Sequence, residues 1–356
     1  MSIKRIQIDP AYSFHDEAGN SIDPQLFKLL GAIHREGKLT KAAKEVGISY
    51  RHAWNLLKKW GQFFGVEVVT LEKGRGAQLT SLGEKLLWAE RRVMARLKPQ
   101  MDNLASEINK ELRRALADAN PTLKLHASHG YAVALLPDFA ETFQLDVQYQ
   151  SPLDALASLN NGACDVAGFH LPTSVHIPEL IASYERLIKP QAHVAIRFIK
   201  RQQGLMVKKG NPNNIEGVLD LARPELNFIN RQPDSGTRTL LDKLIYNADL
   251  KPEQIPGYNQ QEFTHGAIAA YVAAGMADVG FGVEAAARQF GLDFIPLAAE
   301  DYVMLCHRNT LKSSAMERFI QLLVSEKFKA ATAELPGYCS EGCGEVLSLS
   351  HLEALR

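Results

Sequence analysis

The chain has 356 residues, of which 46% are hydrophobic and 22% charged, so it can bury a sizeable core and is long enough for more than one domain. Lys plus Arg and Asp plus Glu number 40 each, yet residues 25–98 carry fifteen basic against six acidic side chains. This local surplus predicts one module that meets a polyanion, beside a larger module that does not.

Several protein classes are excluded by the same totals. Four cysteines in a chain this long do not form a disulfide framework, and no apolar run approaches the ~20 residues of a membrane span. The first residues show no apolar signal region, so we expect a cytoplasmic protein. Cys339 and Cys343 lie in "CSEGC" without further ligands nearby in the sequence, and no metal site is expected there.

After an irregular lead over residues 1–24, the segment 25–80 has the spacing of a helix-turn-helix. "LFKLLGAIHREG" supplies a first helix, and Thr40 is placed to cap a short second helix whose Ala42, Ala43 and Val46 face inward. Gly47 suits the tight turn that follows. In the third helix, from about Ser49, one apolar stripe is formed by Ala53, Leu56, Leu57 and Trp60.

Polar side chains cover the opposite side of that third helix, and "VEVVTLEKGRGAQLTSLG" after it predicts a strand, a basic glycine-rich tip and a second strand. This hairpin is typical of a wing that contacts phosphate. We therefore expect the module to bind double-stranded DNA. The candidate contacts are Lys41, Ser49, Tyr50, Arg51, His52, Asn55, Lys58 and Lys59, with Lys73 and Arg75 in the wing tip.

Residues 25–80 resemble the N-terminal winged helix of ModE and LysR-type transcription regulators. The resemblance is carried by "ISYRHAWNLLKKW" at the third helix and by "GAQLTSLGEKLL" at the end of the wing. It implies that residues 81–117 form a long dimerisation helix, whose apolar stripe is Leu82, Leu86, Ala89, Val93, Leu97, Met101 and Leu104, with Pro99 as a kink. A homodimer, or a tetramer, would set two recognition helices about one DNA turn apart.

Beyond the break "ADANPT", the sequence takes on an alternating α/β pattern. Short apolar runs such as "LKLHAS", "LDVQYQ" and "DVGFG" alternate with helical patterns, as in a sheet of largely buried strands. "LNNGACDVAG" and "VAAGMADVGF" align without a gap, matching Gly162 with Gly275 and Asp165 with Asp278. An internal repeat would predict two similar lobes with a cleft between them. The alternative is that the similarity of the two segments is due to chance.

Residues 122–356 resemble a type 2 periplasmic-binding-protein fold, in the subgroup found fused to molybdate-type regulators. "ASHGYAVALLPDF", "SGTRTLLDKL" and "HGAIAAYVAAGMADVGFG" carry this resemblance. ModE differs, because it has small β-barrel domains at this place. The predicted fold class is α + α/β. It comprises a winged helix-turn-helix, a long dimerisation helix and a two-lobed domain, with lobe I at about 122–197 and 306–356 and lobe II at about 204–300.

A ligand site is predicted where loops follow strands and begin helices, since backbone N–H groups and the helix dipole favour an anion there. The candidates are Ser128, His129, Gly130, His170, Ser235, Gly236, Thr237, Arg238 and His265. Arg238 has an equal alternative, which is pairing with Asp242 one turn on. For His170 the equal alternative to lining the cleft is a capping role, and His265 is open in the same way. Asp165 and Asp278 are expected to accept from turn N–H groups. Segments 196–209 and 298–306 are expected to join the lobes.

The resemblance points to a regulator that senses molybdate or tungstate and controls molybdenum-related or formate dehydrogenase genes. The alternative effectors are another small anion and a larger ligand, either molybdenum-cofactor-like or organic. An enzyme is not expected, because the sequence contains no nucleotide-binding glycine motif, no zinc-protease motif and no nucleophile elbow. A transport-binding protein would need an export signal and no winged helix.

Overall fold

A computed structural model describes residues 7–8, 15, 17, 19, 21, 23–72, 76–115, 121–347 and 349. The chain divides into two compact units, one within residues 9–95 and one spanning residues 96–356 together with the extreme N terminus. The boundary falls inside the longest helix. No helix in the described part combines the length and hydropathy needed to cross a membrane.

The helices are α1 (Gln25–Glu36), α2 (Leu39–Val46), α3 (Tyr50–Phe64), α4 (Ser81–Ala115), α5 (Tyr131–Phe139), α6 (Pro152–Asn160), α7 (Pro178–Glu185), α8 (Gly236–Asn247), α9 (His265–Ala273), α10 (Glu284–Gln289), α11 (Ser314–Val324) and α12 (Glu326–Ala333). The strands are β1 (Val69–Glu72), β2 (Gly76–Leu79), β3 (Thr122–Ala127), β4 (Gln144–Tyr149), β5 (Val166–Pro172), β6 (His193–Val207), β7 (Phe228–Arg231), β8 (Gln261–Glu262), β9 (Val279–Val283), β10 (Asp293–His307), β11 (Tyr338–Cys339) and β12 (Val346–Leu347).

The first unit is a three-helix core followed by an antiparallel hairpin of β1 and β2. Gly47 ends α2 with φ 76°, which is the left-handed geometry that the turn requires. Ser49 caps α3, since its Oγ accepts from the backbone N of His52 at 3.1 Å. The predicted cap at Thr40 is wrong. Thr40 lies inside α2, because the buried Leu39 extends the apolar face of that helix by one residue.

Helix α4 is continuous from Ser81 to Ala115, and Pro99 lies within it. The predicted apolar stripe is confirmed in part. Leu82 and Leu86 are partly buried against the core of the first unit, but Leu87, which is not in the predicted stripe, is the leucine of α4 that is buried in this core. Farther along, Leu104 is 47% exposed. The stripe is therefore covered near the start of α4 and open towards its end.

The second unit contains a sheet of mixed strands in the order β4-β3-β5-β10-β6-β9-β7-β8. In the first lobe β3 pairs in parallel with β4 and β5, and in the second lobe β7 pairs in parallel with β8 and β9. The lobes thus share one topology around the central pair of β10 and β6. This equivalence supports an internal repeat over chance similarity.

The two repeat segments play the same part in their lobes. Gly162 and Gly275 follow helices with φ 70° and 68°. Asp165 Oδ2 accepts from the backbone N of Lys124, and Asp278 Oδ2 accepts from that of Asn227, at 2.8 and 2.9 Å. Each aspartate has a structural role, as expected, but the predicted turn N–H partner is wrong, because Lys124 lies in β3 and Asn227 directly precedes β7.

Strands β6 and β10, of 15 residues each, are the connections between the lobes and pair antiparallel along their length. The ends of each strand belong to different cores: Ile196 and Phe198 pack in the first lobe, and Leu205 and Val207 in the second. The chain then returns to the first lobe, where Phe319 of α11 packs in its core. The residues midway along β6 and β10 lie where the lobes meet.

Candidate functional site

The predicted DNA contacts other than the wing lie on the exposed side of α3, at Ser49 before it and at Lys41 of α2. Lys41, Ser49, Tyr50, Arg51, His52, Asn55, Lys58 and Lys59 are all exposed, whereas the apolar stripe of α3 is buried. Two of the contacts have polar partners within the unit. His52 Nε2 lies 3.2 Å from Gln25 Oε1, and Lys41 Nζ lies 3.5 Å from Glu36 Oε2. Among the remaining contacts, Arg51 and Asn55 are of the side-chain types that pair with base edges, so they are the best candidates for reading bases.

The hairpin that follows α3 is packed closely against the helical core. The Gly76 φ of 94° is left-handed, and a Cβ added there would lie 2.2 Å from the carbonyl oxygen of Gly37. A glycine is therefore required at the base of this hairpin. Lys73 and Arg75, predicted at its tip, lie outside the described residues.

A cavity of about 270 Å³ lies between the two lobes of the second unit. Its walls come from loops at the strand ends, from the middle of β6 and from one residue of α4. The lining residues are Pro99, Ser128, His129, Tyr149, Gln150, Ser151, Pro152, His170, Arg201, Arg231, Gln232, Asp234, Ser235, Gly236, Thr237, Phe263, Thr264 and His265.

Four helices begin at this cavity, and two of them lack a side-chain cap. Ser151 caps α6 and Thr264 caps α9, each accepting a backbone N–H of its first turn. By contrast, Gly130 before α5 and Ser235 before α8 make no side-chain cap hydrogen bond. First-turn N–H groups have no partner inside a helix, so α5 and α8 present donors and a positive dipole end from opposite lobes.

Two arginines line the cavity, Arg201 of β6 and Arg231 of β7, and they differ in their ion pairing. Arg201 is paired with the buried carboxylate of Glu300, with 2.8 Å between Nε and Oε2. Arg231 forms no salt bridge with any described residue, and its Nε donates to the neutral Gln232 amide at 3.1 Å. Burial, followed by repulsion from Arg201, lowers the pKa of Arg231 to about 10. It stays protonated at pH 7, and although the charges of Asp234 and Glu300 stabilise it, no carboxylate of the described residues forms a direct salt bridge with it.

Three histidines surround these arginines and are neutral at pH 7. Burial is the main cause, and the arginine charges add to it: the pKa of His129 falls to about 4, and those of His170 and His265 fall well below the ordinary value. Within the described chain, the Nδ1 atoms of His170 and His265 and the Oγ of Ser128 are buried without a hydrogen-bond partner. Unsatisfied buried polar atoms mark a place that a polar ligand can complete.

One network joins the cavity wall to the strands between the lobes. Gln203 Nε2 donates to Glu300 Oε2 at 2.8 Å and lies 3.1 Å from the Thr237 hydroxyl at the start of α8. Glu300 in turn accepts from Arg201. The network therefore fixes the first turn of α8 relative to β6 and β10.

Helix α4 also reaches the cavity. Asn103 accepts from the Tyr149 backbone N at 2.7 Å and donates to its carbonyl oxygen at 3.2 Å, which fastens α4 to the first lobe. The Arg96 guanidinium lies 4.4 Å from the centre of the exposed Phe263 ring in the second lobe. Pro99, between these two contacts, forms part of the lining.

Seven of the nine ligand-site candidates line the cavity, namely Ser128, His129, His170, Ser235, Gly236, Thr237 and His265. Gly130 and Arg238 do not. Arg238 donates to Asp242 at 3.0 Å, and its guanidinium lies 3.9 Å from the centre of the Tyr258 ring. The structure thus favours the pairing alternative for Arg238, because both partners hold its guanidinium away from the cavity.

The sequence did not single out Arg201, Arg231, Tyr149 or Phe263. Arg231 directly ends the apolar run "LNFIN", so a basic residue after a predicted buried strand is a signal that could have found it. Arg201 lay in a predicted interlobe connection, but nothing in the sequence showed which side chain of that strand faces the ligand. Among the described residues, no group of three or more His, Cys, Asp or Glu side chains is arranged to hold a metal ion.

Comparison with known proteins gives two matching families. Residues 24–84 match the family described as bacterial regulatory helix-turn-helix protein, lysR family. Residues 136–324, more than half of the chain, match the PBP superfamily domain.

Individual relatives match different shares of the chain. The protein YvgK of Bacillus subtilis is 31% identical over 248 residues, which cover 68% of this chain and 79% of that protein. The molybdenum-pterin-binding protein MopB of Rhodobacter capsulatus is 32% identical over 98 residues, 26% of this chain and 36% of that protein. The molybdenum transport protein ModE of Azotobacter vinelandii is 29% identical over 101 residues, 27% of this chain and 37% of that protein.

Proposed function

Because the chain belongs to the PBP superfamily and carries a lysR-type helix-turn-helix domain, we propose that it is a transcription regulator that senses molybdate or tungstate. In this proposal the oxyanion binds in the interlobe cavity. Its binding changes the transcription of molybdenum-related or formate dehydrogenase genes.

The observation that carries the proposal is Arg231, a protonated guanidinium in the cavity wall without an ion-pair partner among the described residues. A partly buried charge is costly unless it is compensated, so an anion bound beside Arg231 gains the direct ion pair that the free protein lacks. The uncapped first turns of α5 and α8 add donors from both lobes. The names of the relatives MopB and ModE, which match about a quarter of this chain, hint at molybdenum chemistry for this anion.

A larger ligand is the second candidate, and the size of the cavity favours it. One water needs about 10–15 Å³ of such space, so a cavity of about 270 Å³ has room for far more than a five-atom oxyanion. Pro99 and Phe263 give one side of the lining apolar surface. A molybdenum-cofactor-like or organic anion would use this surface in addition to Arg231.

Signal transfer is proposed to run through α4, because this helix contacts both lobes. Asn103 holds it to the first lobe, whereas Arg96 and Phe263 touch across to the second. A ligand that draws the lobes together changes the second contact relative to the first. The ligand can shift the equilibrium between the open and closed conformations only by the difference between its affinities for them.

Assembly as a homodimer is proposed through the same helix. Leu104, Ile108 and Leu112, spaced four residues apart, are 47%, 43% and 41% exposed. Residues at this spacing share one face of a helix, and a second copy of the chain would cover that face.

Isothermal titration of the full chain with molybdate, tungstate, sulfate and formate tests the effector. We expect molybdate and tungstate to bind at micromolar or lower concentration and sulfate and formate to bind far more weakly. If molybdate and tungstate do not bind below the millimolar range, the oxyanion proposal is wrong. Tight binding of a molybdenum-pterin compound instead would support the larger ligand.

A further inference from the structure

Two large aromatic side chains of α3 are turned to solvent. Tyr50 is 51% exposed and Trp54 is 40% exposed. They are four residues apart and therefore neighbours on one side of the helix. The opposite side of α3 is already buried in the core of the first unit, so these two rings are not needed to hold the helix in place.

The charge around the rings indicates what covers them. Arg51 and Lys58 are exposed on the same helix, and α3 contains no Asp or Glu. The Lys58 ammonium lies 5.0 Å from the centre of the Trp54 ring. A second copy of this positive face would be repelled by the first, whereas a polyanion that also offers apolar groups would fit both the charges and the rings.

Double-stranded DNA offers that combination in its major groove. Phosphates border the groove, and each thymine places its C5-methyl group on the groove floor as the apolar element of the base code. A ring on a recognition helix can cover such a methyl while the neighbouring polar side chains reach base edges. Arg51 and Asn55 are of the types that pair with guanine and adenine.

On the basis of the proposed DNA-binding function, we propose that Trp54, with Tyr50 beside it, determines operator specificity by packing against thymine C5-methyl groups. Lys58 then contacts both the Trp54 ring and a phosphate of the DNA backbone. The role assigned to Trp54 is a preference for thymine at defined operator positions, distinct from the general attraction that the basic residues supply.

The test removes the methyl group from the DNA and leaves the base pairing unchanged. A duplex is first selected from a random library by the full-length wild-type protein. Each thymine in it is then replaced by uracil, one position at a time. We expect one or two positions per half-site at which uracil weakens wild-type binding about fourfold, the effect of burying one methyl group. Uracil elsewhere should have no effect.

The variant Trp54→Ala should bind the selected duplex more weakly and should no longer distinguish thymine from uracil at those positions. Trp54→Phe should keep part of the difference. Phe63→Ala is the matched control, since Phe63 is an exposed aromatic in the last turn of the same helix, 38% exposed, and it should retain the full difference. Circular dichroism of each variant checks that α3 is folded.

The outcomes separate this inference from the proposed function. If the wild-type protein selects a duplex but no thymine is sensitive to uracil, Trp54 does not read a methyl group, although the protein binds DNA. The same conclusion follows if Trp54→Ala keeps the wild-type difference. If the wild-type protein enriches no sequence, the regulatory function fails and this inference with it.

Discussion

Arg201 Nε donates to Glu300 Oε2 across 2.8 Å, and the two side chains are only 2% and 1% exposed. They lie on neighbouring strands, β6 and β10, midway between the lobes. Burial alone lowers the pKa of Arg201, but the Glu300 charge and hydrogen bonds reverse this and raise it above the ordinary value. The pair thus connects β6 and β10 at the point between the lobes where the proposed closure takes place.

Removing one member of this pair leaves an uncompensated buried charge. We expect Glu300→Gln to lower the free energy of unfolding by about 3–5 kcal/mol, measured by urea denaturation. The control Glu326→Gln removes the exposed partner of Lys329 and should cost less than about 1 kcal/mol. Similar small losses in both variants would show that the Arg201 charge is compensated by other groups.

Anion binding should depend on Arg231. A hydrogen bond to a charged group contributes about 1.5–3 kcal/mol, so Arg231→Gln should weaken molybdate binding roughly tenfold to hundredfold. Arg223→Gln alters an arginine that pairs with Glu225 outside the cavity lining and should leave the dissociation constant unchanged. An unchanged constant for Arg231→Gln in calorimetric titration would place the anion elsewhere.

Proton uptake should accompany anion binding. Burial, and then the charges of Arg231, Lys98 and Arg201, lower the pKa of His129 to about 4, so its ring is neutral in the free protein at pH 7. An anion favours the protonated ring and raises this pKa, so affinity should rise as pH falls. Titration in buffers of different ionisation enthalpy measures the protons taken up. His129→Asn should take up fewer, and equal uptake would contradict a role for His129.

The same histidines should make the free protein sensitive to acid. In the unfolded chain their pKa is near 6.5, but in the folded protein those of His129, His170 and His265 are lowered. The unfolded state therefore binds more protons below pH 6.5, and stability is lost as pH falls towards about 4. Thermal melting at a series of pH values checks this. A melting temperature that stays constant between pH 7 and 5 would contradict it.

Self-association should depend on the open stripe of α4. A lysine at each of Leu104 and Ile108 would place like charges where two copies are proposed to meet. We therefore expect the wild type to be a dimer in light scattering and this double variant to be monomeric. Leu219→Lys is the control, because Leu219 is 66% exposed and lies outside α4. A double variant with the wild-type mass would place the dimer contact elsewhere.

Coupling between effector and DNA should depend on Asn103. Asn103→Ala removes both hydrogen bonds between α4 and the Tyr149 backbone. We expect effector affinity to change little but the effector-dependent shift in DNA affinity to shrink, measured by fluorescence anisotropy. Asn161→Ala, at the end of α6, is the control and should behave as wild type. A full effector response in Asn103→Ala would show that α4 is not the link.

Local pattern in the sequence determined most of the first unit. The stripe of Ala53, Leu56, Leu57 and Trp60 predicted α3, and Ser49 and Gly47 set its start and the preceding turn, because period, capping and left-handed geometry act within a few residues. The same reasoning predicted several strands of the second unit, among them β3, β4 and β9, and most of the loops at its cavity. It did not fix the first residue of α2, since the burial of Leu39 depends on packing.

Only the tertiary structure decided which charges belong to the cavity. Arg238 follows a predicted anion-binding loop and was an equal candidate, yet Asp242 and Tyr258 hold it in place, whereas Arg231 forms no direct ion pair with any described residue. Arg201 and Glu300 are 99 positions apart in the sequence and meet because β6 and β10 pair antiparallel between the lobes. Sequence pattern determines local structure, but burial and ion pairing depend on residues that only the fold brings together.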